Sequence, residues 1–158
     1  MKILLTGFCN TSSELLAKCA QYKSLILPND KLKDSQILLE EIGGQKYDYV
    51  LSFGQKPNIK NKIYFETAAR NADSRIDTNF ELAKLKSTLE SHNIPVQISS
   101  NAGTSFCNAL YWSGLNYIYN KCPDTKMLFL HIPFLKNIAD SELFFDRILL
   151  GIGDLETL

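Results

Sequence analysis

Residues 95–132, PVQISSNAGTSFCNALYWSGLNYIYNKCPDTKMLFLHI, carry the pattern that decides the fold class. A short apolar run at 95–99 predicts a strand, and an Asn-Ala-Gly segment typical of a turn follows it. Residues 105–120 have the length and amphipathic spacing of a helix, and the apolar run 126–132 predicts a second strand. The stretch therefore predicts a strand, a helix and a strand in succession.

The same alternation of short apolar runs and longer amphipathic segments extends to both sides of this stretch. Further strands are predicted at 2–6, 24–27, 48–53 and 62–70. Further helices are predicted at 12–22, 33–42, 80–92 and 139–150. This order predicts an α/β fold, a three-layer α/β/α sandwich around a mostly parallel twisted sheet. Because no internal repeat or linker interrupts the pattern, residues 1–158 are predicted to form a single domain.

Composition excludes several classes of protein. The 158 residues are 45% apolar and 22% charged, which is ordinary for a globular protein and excludes disorder. The 17 basic residues balance 17 acidic ones, which argues against nucleic-acid binding and against a polybasic membrane patch. The apolar runs are too short for a membrane-spanning helix or a secretory signal. The four cysteines form no CxxC pair, so we expect free thiols in a reducing compartment and a cytoplasmic location.

Two residues of the opening stretch are candidates for chemistry. Cys107 falls in the first turn of the predicted helix, where the helix dipole and free N–H groups would lower the pKa of a thiol. His131 ends the following strand, at the edge of a parallel sheet where a general base would meet a ligand. Each residue alone is also compatible with a purely structural role in the core. The other histidine, His92, is predicted to be solvated or to pair with a helix C-terminus.

At this point the sequence resembles a known family. The segment 101–108, NAGTSFCN, is similar to the AGT-x-x-CN segment around the nucleophile of the pyrrolidone-carboxylate peptidases, or pyroglutamyl peptidases I. The segment 130–135, LHIPFL, is similar to their H-[VI]-P-[FY]-L segment around the catalytic histidine. The distance along the chain between the two motifs also suits the family.

Four shorter matches extend the resemblance over most of the chain, in the family's order. Thr6-Gly7-Phe8 matches the start of a TGF-x-x-F motif, and Gly54-Gln55 matches the start of a G-[QL]-A-G-G-R motif. Glu66 opens a segment at 66–71 that resembles E-x-x-A-x-N, and residues 73–76 resemble D-x-R-I. Each of these is weak alone, whereas the Cys and His motifs together are fairly specific.

The resemblance implies a Cys-His-Glu triad in a cysteine exopeptidase that removes N-terminal pyroglutamate from peptides. Cys107 would attack the peptide carbonyl, and His131 would take the thiol proton and pass it to the leaving amine. Glu66 would orient the imidazole and stabilise its protonated form. The resemblance implies no metal and no cofactor.

The resemblance also implies residues for substrate binding and self-association. Phe8 would pack on the pyrrolidone ring, Gln55 would lie beside the site, and Arg75 would lie near the active site. The partner would be a pyroglutamylated peptide, with no nucleic acid and no membrane. A homo-oligomer, a dimer or a tetramer, is also implied, for which Tyr111 and Trp112 are candidate exposed aromatic residues.

The chain departs from the family pattern around the substrate. Thr11 stands where the family has a second aromatic residue, and Cys9 stands where it has an acidic one. Residues 56–58, Lys-Pro-Asn, replace a Gly-Gly-Arg segment, and the segment after Ile76 is short. These departures leave open an alternative: a divergent member with altered substrate or lost activity that acts as a binding or assembly protein. A flavodoxin-like nucleotide binder is a third, weaker alternative, because no GxGxxG or Walker loop occurs.

Overall fold

The structure is a computed structural model that describes residues 1–157. In that range the strands are β1 (Ile3–Phe8), β2 (Lys23–Leu27), β3 (Tyr49–Lys56), β4 (Ile63–Glu66), β5 (Ala68–Asn71), β6 (Ser74–Asp77), β7 (Val96–Ser99) and β8 (Lys126–Pro133). The α-helices are α1 (Ser12–Cys19), α2 (Lys31–Gly44), α3 (Leu82–Ser91), α4 (Phe106–Lys121) and α5 (Ser141–Asp154). Short 3-10 turns occur at Leu135–Asn137 and Leu155–Thr157.

Six strands form one sheet in the order β2-β1-β3-β8-β4-β7. Strands β2, β1, β3 and β8 run parallel to one another, whereas β4 pairs antiparallel with β8 and parallel with β7. The predicted mostly parallel sheet is therefore confirmed, with two strands running the other way. Strands β7 and β8, which flank the predicted helix of the opening stretch, run in opposite directions and are separated by β4.

The two faces of the sheet carry separate apolar clusters because side chains alternate along each strand. Leu51 and Leu130 point to the face that α1, α3 and α5 cover. Val50 and Phe129 point to the opposite face, which α2 and α4 cover. The predicted three-layer α/β/α arrangement is confirmed. We call the surface of the sheet under α2 and α4 the α4 face.

The β5–β6 hairpin was not predicted from the sequence pattern, which predicts a single strand over 62–70. The structure breaks that run at Thr67, and β5 and β6 then form a separate antiparallel hairpin that packs against α4. Ala72 in the hairpin turn has a φ of 53°, in the left-handed region that glycine or asparagine usually occupies. Because an alanine makes the turn, the usual sequence signal of a two-residue hairpin is missing.

The predicted helices are observed with shifted ends. Helix α1 ends at Cys19, three residues before its predicted end at 22. Ala20 is extended, because the chain must turn back into β2, which begins at Lys23. None of the helices within residues 1–157 is long and apolar enough to cross a membrane.

Candidate active site

Three neighbouring strands place residues on the α4 face. His131 on β8 lies directly across from Gly54 on β3 and from Tyr64 on β4. Glu66 follows Tyr64 by two residues on β4, so its side chain points to the same face as His131. Gly54 carries no side chain, which leaves space above β3 beside the imidazole.

Glu66 is completely buried, yet its carboxylate has several partners. Its Oε1 is 3.0 Å from His131 Nδ1, and its Oε2 accepts a hydrogen bond of 2.7 Å from Ser99 Oγ. Lys56 Nζ lies 3.5 Å from the same Oε1. Burial alone would raise the pKa of Glu66, but the hydrogen bonds from His131 and Ser99 and the nearby positive charges outweigh it. The pKa of Glu66 is therefore lower than usual, and the group is ionised at neutral pH.

The ionised Glu66 fixes the orientation of the His131 ring. A carboxylate can only accept hydrogen bonds, so His131 Nδ1 carries the proton that it shares with Glu66. In the neutral imidazole, Nε2 is then the nitrogen with a free lone pair. This is the arrangement in which an acidic residue prepares a histidine to accept a proton at Nε2.

Cys107 reaches the same face from the first turn of α4. Gly103, with a φ of 88°, lets the chain turn from the segment after β7, and Ser105 caps the helix through its side chain. An ideal Cβ on Gly54 would lie 2.6 Å from Cys107 Sγ and 2.9 Å from the Phe129 ring. The sulfur therefore rests against the backbone of Gly54, which is the cross-strand neighbour of His131.

The protonation state of Cys107 differs from the sequence prediction. Burial, with a smaller contribution from the negative charge of Glu66, raises the pKa of the Cys107 thiol to about 12. The prediction of a pKa lowered by the helix N-terminus is therefore wrong, because desolvation outweighs the backbone hydrogen bond and the Lys56 charge that lower the pKa. Within residues 1–157, no hydrogen bond joins the Cys107 thiol to the His131 ring. The resting site thus holds a protonated thiol near a paired histidine.

The predicted substrate-binding residues lie in three different places. Phe8 is buried on the α4 face, with its ring centroid 6.5 Å from that of Phe129. Gln55 Oε1 accepts a 3.1 Å hydrogen bond from the backbone N–H of Ser12, so its side chain ties β3 to the start of α1. Arg75 is exposed on β6, where its Nε is 2.6 Å from Asp77 Oδ1. The structure thus brings Phe8 to the face of the candidate triad, whereas the side-chain contacts of Gln55 and Arg75 are with other groups.

The structure adds residues that sequence reasoning did not place in the site. Ser99 and Lys56 contact the Glu66 carboxylate directly. The Tyr111 hydroxyl donates a 2.7 Å hydrogen bond to the Glu66 carbonyl oxygen, and its side chain is fully buried. The expectation that Tyr111 is an exposed aromatic residue at an interface is therefore wrong. A signal for Tyr111 was available, since it lies one helical turn after Cys107 and so on the same side of α4.

A cavity of about 700 Å³ opens beside the start of α4. Its lining includes Arg70, Asn101, Ser105, Asn108 and Trp112. Asn108 also fixes the hairpin, because its Oδ1 accepts from the Arg70 backbone N–H at 2.9 Å and its Nδ2 donates to the Arg70 carbonyl at 2.8 Å. The helix that carries Cys107 is thus held on one side by the sheet and on the other by the β5–β6 hairpin.

Comparison with known proteins identifies relatives of the chain. The family model described as pyroglutamyl peptidase matches residues 78–143, a range that contains Cys107 and His131. A pyrrolidone-carboxylate peptidase of Alkaliphilus oremlandii is 29% identical over 170 residues, covering 85% of this chain and 79% of that protein. One of Streptococcus pyogenes serotype M4 is 27% identical over 169 residues, with the same coverage.

Solved structures show the same fold. A mutant pyrrolidone carboxyl peptidase of Pyrococcus furiosus matches with a TM-score of 0.85 at 20% identity, covering 100% of both chains. The pyroglutamyl peptidase I of Bacillus amyloliquefaciens matches with a TM-score of 0.83 at 19% identity, covering 96% of this chain and 93% of the other. The TM-scores show that the architecture is shared across nearly the full length.

In sequence the chain is similar to pyrrolidone-carboxylate peptidases, a family of cysteine peptidases, and it shares the α/β fold of their solved structures, as predicted. The more particular prediction, drawn from the Cys and His motifs, is confirmed as well. The chain is a relative of the pyroglutamyl peptidases, also named pyrrolidone-carboxylate peptidases.

Proposed function

We propose that the chain removes N-terminal pyroglutamate from peptides, with Cys107, His131 and Glu66 as nucleophile, base and orienting acid. The observation that carries the proposal is the 3.0 Å contact between His131 Nδ1 and Glu66 Oε1, located beside the glycine on which the Cys107 sulfur rests. The names of the curated relatives supply the substrate class. In this proposal, residues 1–158 act as a single domain.

The reaction proceeds by acyl transfer to sulfur. Cys107 Sγ attacks the carbonyl carbon of the pyroglutamyl residue while His131 Nε2 takes the thiol proton. The C–N bond then breaks, His131 returns the proton to the leaving amine, and a thioester remains on Cys107. His131 then takes a proton from a water molecule as the water oxygen attacks the thioester carbonyl. The C–S bond breaks, pyroglutamate leaves, and His131 returns the proton to the Cys107 sulfur. Because the resting thiol has a raised pKa, proton transfer accompanies the attack instead of preceding it.

Glu66 contributes by holding the imidazole and by stabilising its positive charge after proton transfer. Its lowered pKa keeps it ionised over the working pH range. The Ser99 hydrogen bond, together with the Tyr111 bond to its backbone carbonyl, restrains the carboxylate from two sides. A fixed, buried charge of this kind needs little rearrangement during the reaction.

Phe8 supplies an apolar wall for the pyrrolidone ring in this proposal, whereas Gln55 and Arg75 would have to leave their contacts with Ser12 and Asp77 to reach the substrate. Thr11 cannot serve as a second aromatic wall, since its hydroxyl donates a 2.8 Å hydrogen bond to the Phe8 carbonyl and its side chain caps α1. Loss of one aromatic wall costs about 1–3 kcal/mol of binding. We therefore expect weaker binding of the pyroglutamyl residue than in a two-walled site, with the chemistry of the triad unchanged.

We further propose that the enzyme works in the cytoplasm as a homo-oligomer without a metal or cofactor. The balanced charge and the four free cysteines support the cellular location. Within residues 1–157, no group of three metal-ligating side chains occurs. The resemblance to the family supports the oligomer.

The test is release of a fluorescent amine from a pyroglutamyl amide. Wild-type protein is expected to turn over, and Cys107→Ala to lose about 10³-fold or more in kcat/KM. Cys122→Ala is the matched control, because Cys122 is also a partly buried free thiol but lies at the far end of α4. Turnover by Cys107→Ala at the wild-type rate would contradict the proposed nucleophile.

A second candidate function is a binding or assembly protein derived from the peptidases. Two observations favour it: the raised pKa of Cys107 and the absence, within the described residues, of a hydrogen bond from the thiol to His131. It predicts that a pyroglutamyl peptide binds in a calorimeter while no amine is released. Turnover that depends on Cys107 excludes this candidate.

A further inference from the structure

Lys56 stands out because it brings a positive charge into the candidate triad. It is the last residue of β3 and points to the α4 face, two residues after Gly54. Its side chain is 29% exposed, and its ammonium has three neighbours. Nζ lies 3.5 Å from Glu66 Oε1, donates a 3.0 Å hydrogen bond to the Asn101 carbonyl, and lies 5.2 Å from the centre of the Tyr64 ring.

These contacts complete a closed ring of polar interactions. From Glu66 Oε1 the ring runs to Lys56 Nζ and on to the Asn101 carbonyl. The backbone N–H of Asn101 donates a 3.2 Å hydrogen bond to Ser99 Oγ, and Ser99 Oγ donates to Glu66 Oε2. The segment between β7 and α4, which leads into the helix that carries Cys107, is thus linked to both carboxylate oxygens of Glu66. Without Lys56, only the Ser99 side of this ring would remain.

We propose that Lys56 is a positioning residue: it completes the ring that joins Glu66 to the segment leading into the Cys107 helix, and its charge acts on both Glu66 and Cys107. The inference rests on the proposed function for its kinetic consequences, whereas its effect on the Cys107 thiol can be measured without turnover. Lys56 is the first of the three residues, 56–58, that stand where the family pattern has Gly-Gly-Arg, so this lysine is a departure of this chain from that pattern.

Charge supports the same conclusion. The titratable groups packed around Glu66 and Cys107 are Asp34 on α2, Lys56 on β3, Tyr64 on β4, Tyr111 on α4 and His131 on β8. Among these, Lys56 lowers the pKa of Glu66 and also lowers that of Cys107, while Glu66 and Asp34 raise that of Cys107. Loss of the Lys56 ammonium should therefore raise the pKa of Glu66 and also that of Cys107.

The test compares Lys56→Met with Lys56→Arg and with Lys62→Met. Lys62 is the matched control, because its Nζ lies 5.4 Å from the same Tyr64 ring but bonds to Gln97. For Lys56→Met we expect the acid limb of the kcat/KM profile to move to higher pH, since Glu66 protonates more easily without the nearby ammonium. The Arg variant should stay near wild type, and Lys62→Met should leave the profile unchanged.

Alkylation provides the readout that needs no turnover. Iodoacetamide labelling of Cys107, followed by mass spectrometry, should slow about 3- to 10-fold in Lys56→Met, because a higher thiol pKa leaves less thiolate. An unchanged pH profile together with unchanged labelling would overturn the inference while leaving the proposed function intact. A wild-type protein without turnover would overturn the proposed function, and the labelling would still test Lys56. Equal slowing in Lys62→Met would also overturn the inference.

Discussion

At the scale of single residues, the site depends on a buried carboxylate that stays ionised and a buried thiol that stays protonated. Glu66 keeps its charge because hydrogen bonds and a lysine surround it, whereas Cys107 has no comparable set of partners among residues 1–157. The motifs around Cys107, His131 and Glu66 predict which residue types come together. They did not predict the protonation of Cys107, because desolvation depends on how α4 packs over β3 and no short segment encodes that.

Resting Cys107 should react slowly with alkylating agents. Since burial raises the pKa of its thiol to about 12, little thiolate exists at neutral pH, and exposed Cys19 should react with iodoacetamide faster. Labelling of Cys107 should keep rising as the pH is raised through the alkaline range. Glu66→Gln removes the charge that raises this pKa and should speed the labelling. Peptide mapping by mass spectrometry measures all these rates, and fast labelling of wild-type Cys107 near pH 7 would contradict the account.

Gly54→Ala should disable the site while preserving the fold. The new methyl group would lie 2.6 Å from Cys107 Sγ and 2.9 Å from Phe129, so the thiol must move away from its place beside His131. We expect kcat to fall about 10²-fold or more, since a displacement of about 1 Å has that cost. Gly44→Ala at the end of α2 is the control, because a Cβ there meets nothing within 4 Å. Wild-type kcat in Gly54→Ala would show that the close contact does not matter.

At the scale of elements, the periodicity of apolar residues predicts most strands and helices but not how the strands are directed. Strands β4 and β7 have ordinary apolar patterns, and such patterns read the same in a parallel or an antiparallel strand. The reversal of β4 has a consequence for the site. It places Glu66 across from Phe129, and therefore diagonal to His131, on the same side of the sheet.

The hydrogen bond from the Tyr111 hydroxyl on α4 to the Glu66 carbonyl on β4 should contribute measurably to the free energy of unfolding. Tyr111→Phe leaves the buried Glu66 carbonyl without its 2.7 Å hydrogen bond and should lower the free energy of unfolding by about 1–2 kcal/mol. Tyr119→Phe is the matched control, because Tyr119 also lies on α4 and donates a 2.7 Å bond to a backbone carbonyl, that of Asp77, but is 46% exposed. Tyr119→Phe should lower the free energy of unfolding by about 0.5 kcal/mol or less. Urea unfolding midpoints at unchanged m-value compare the two, and equal losses would refute the burial argument.

At the scale of the whole molecule, two buried carboxyl groups make opposite contributions to stability at low pH. Glu66 has a lowered pKa in the folded state, so its ionised form stabilises the fold above the pKa it has when unfolded. That contribution is lost as the pH falls through the folded-state pKa. Asp34 is almost completely buried, and this burial raises the pKa of its carboxyl group. The ionised Asp34 carboxylate therefore destabilises the fold at neutral pH, and this destabilisation disappears as the carboxyl group becomes protonated at lower pH.

Unfolding experiments from neutral to acidic pH should separate the two groups. The stability advantage of wild type over Glu66→Gln should be constant near neutral pH and should shrink below about pH 4, the usual range of carboxyl groups. Asp34→Asn should show the reverse, with its gain over wild type largest at neutral pH. A difference between wild type and Glu66→Gln that stays constant down to the acid transition would contradict the lowered pKa of Glu66.

In the proposed mechanism Cys107 carries the pyroglutamyl group during hydrolysis, and intact-mass spectrometry after a rapid acid quench tests this role most directly. Wild-type protein mixed with a pyroglutamyl amide should gain the mass of one pyroglutamyl group, located on Cys107 by peptide mapping, while the amine is released in equal amount. Cys107→Ala should show neither the adduct nor the amine. Amine release by the wild type that persists at the same rate in Cys107→Ala, without an adduct on the sulfur, would contradict the account.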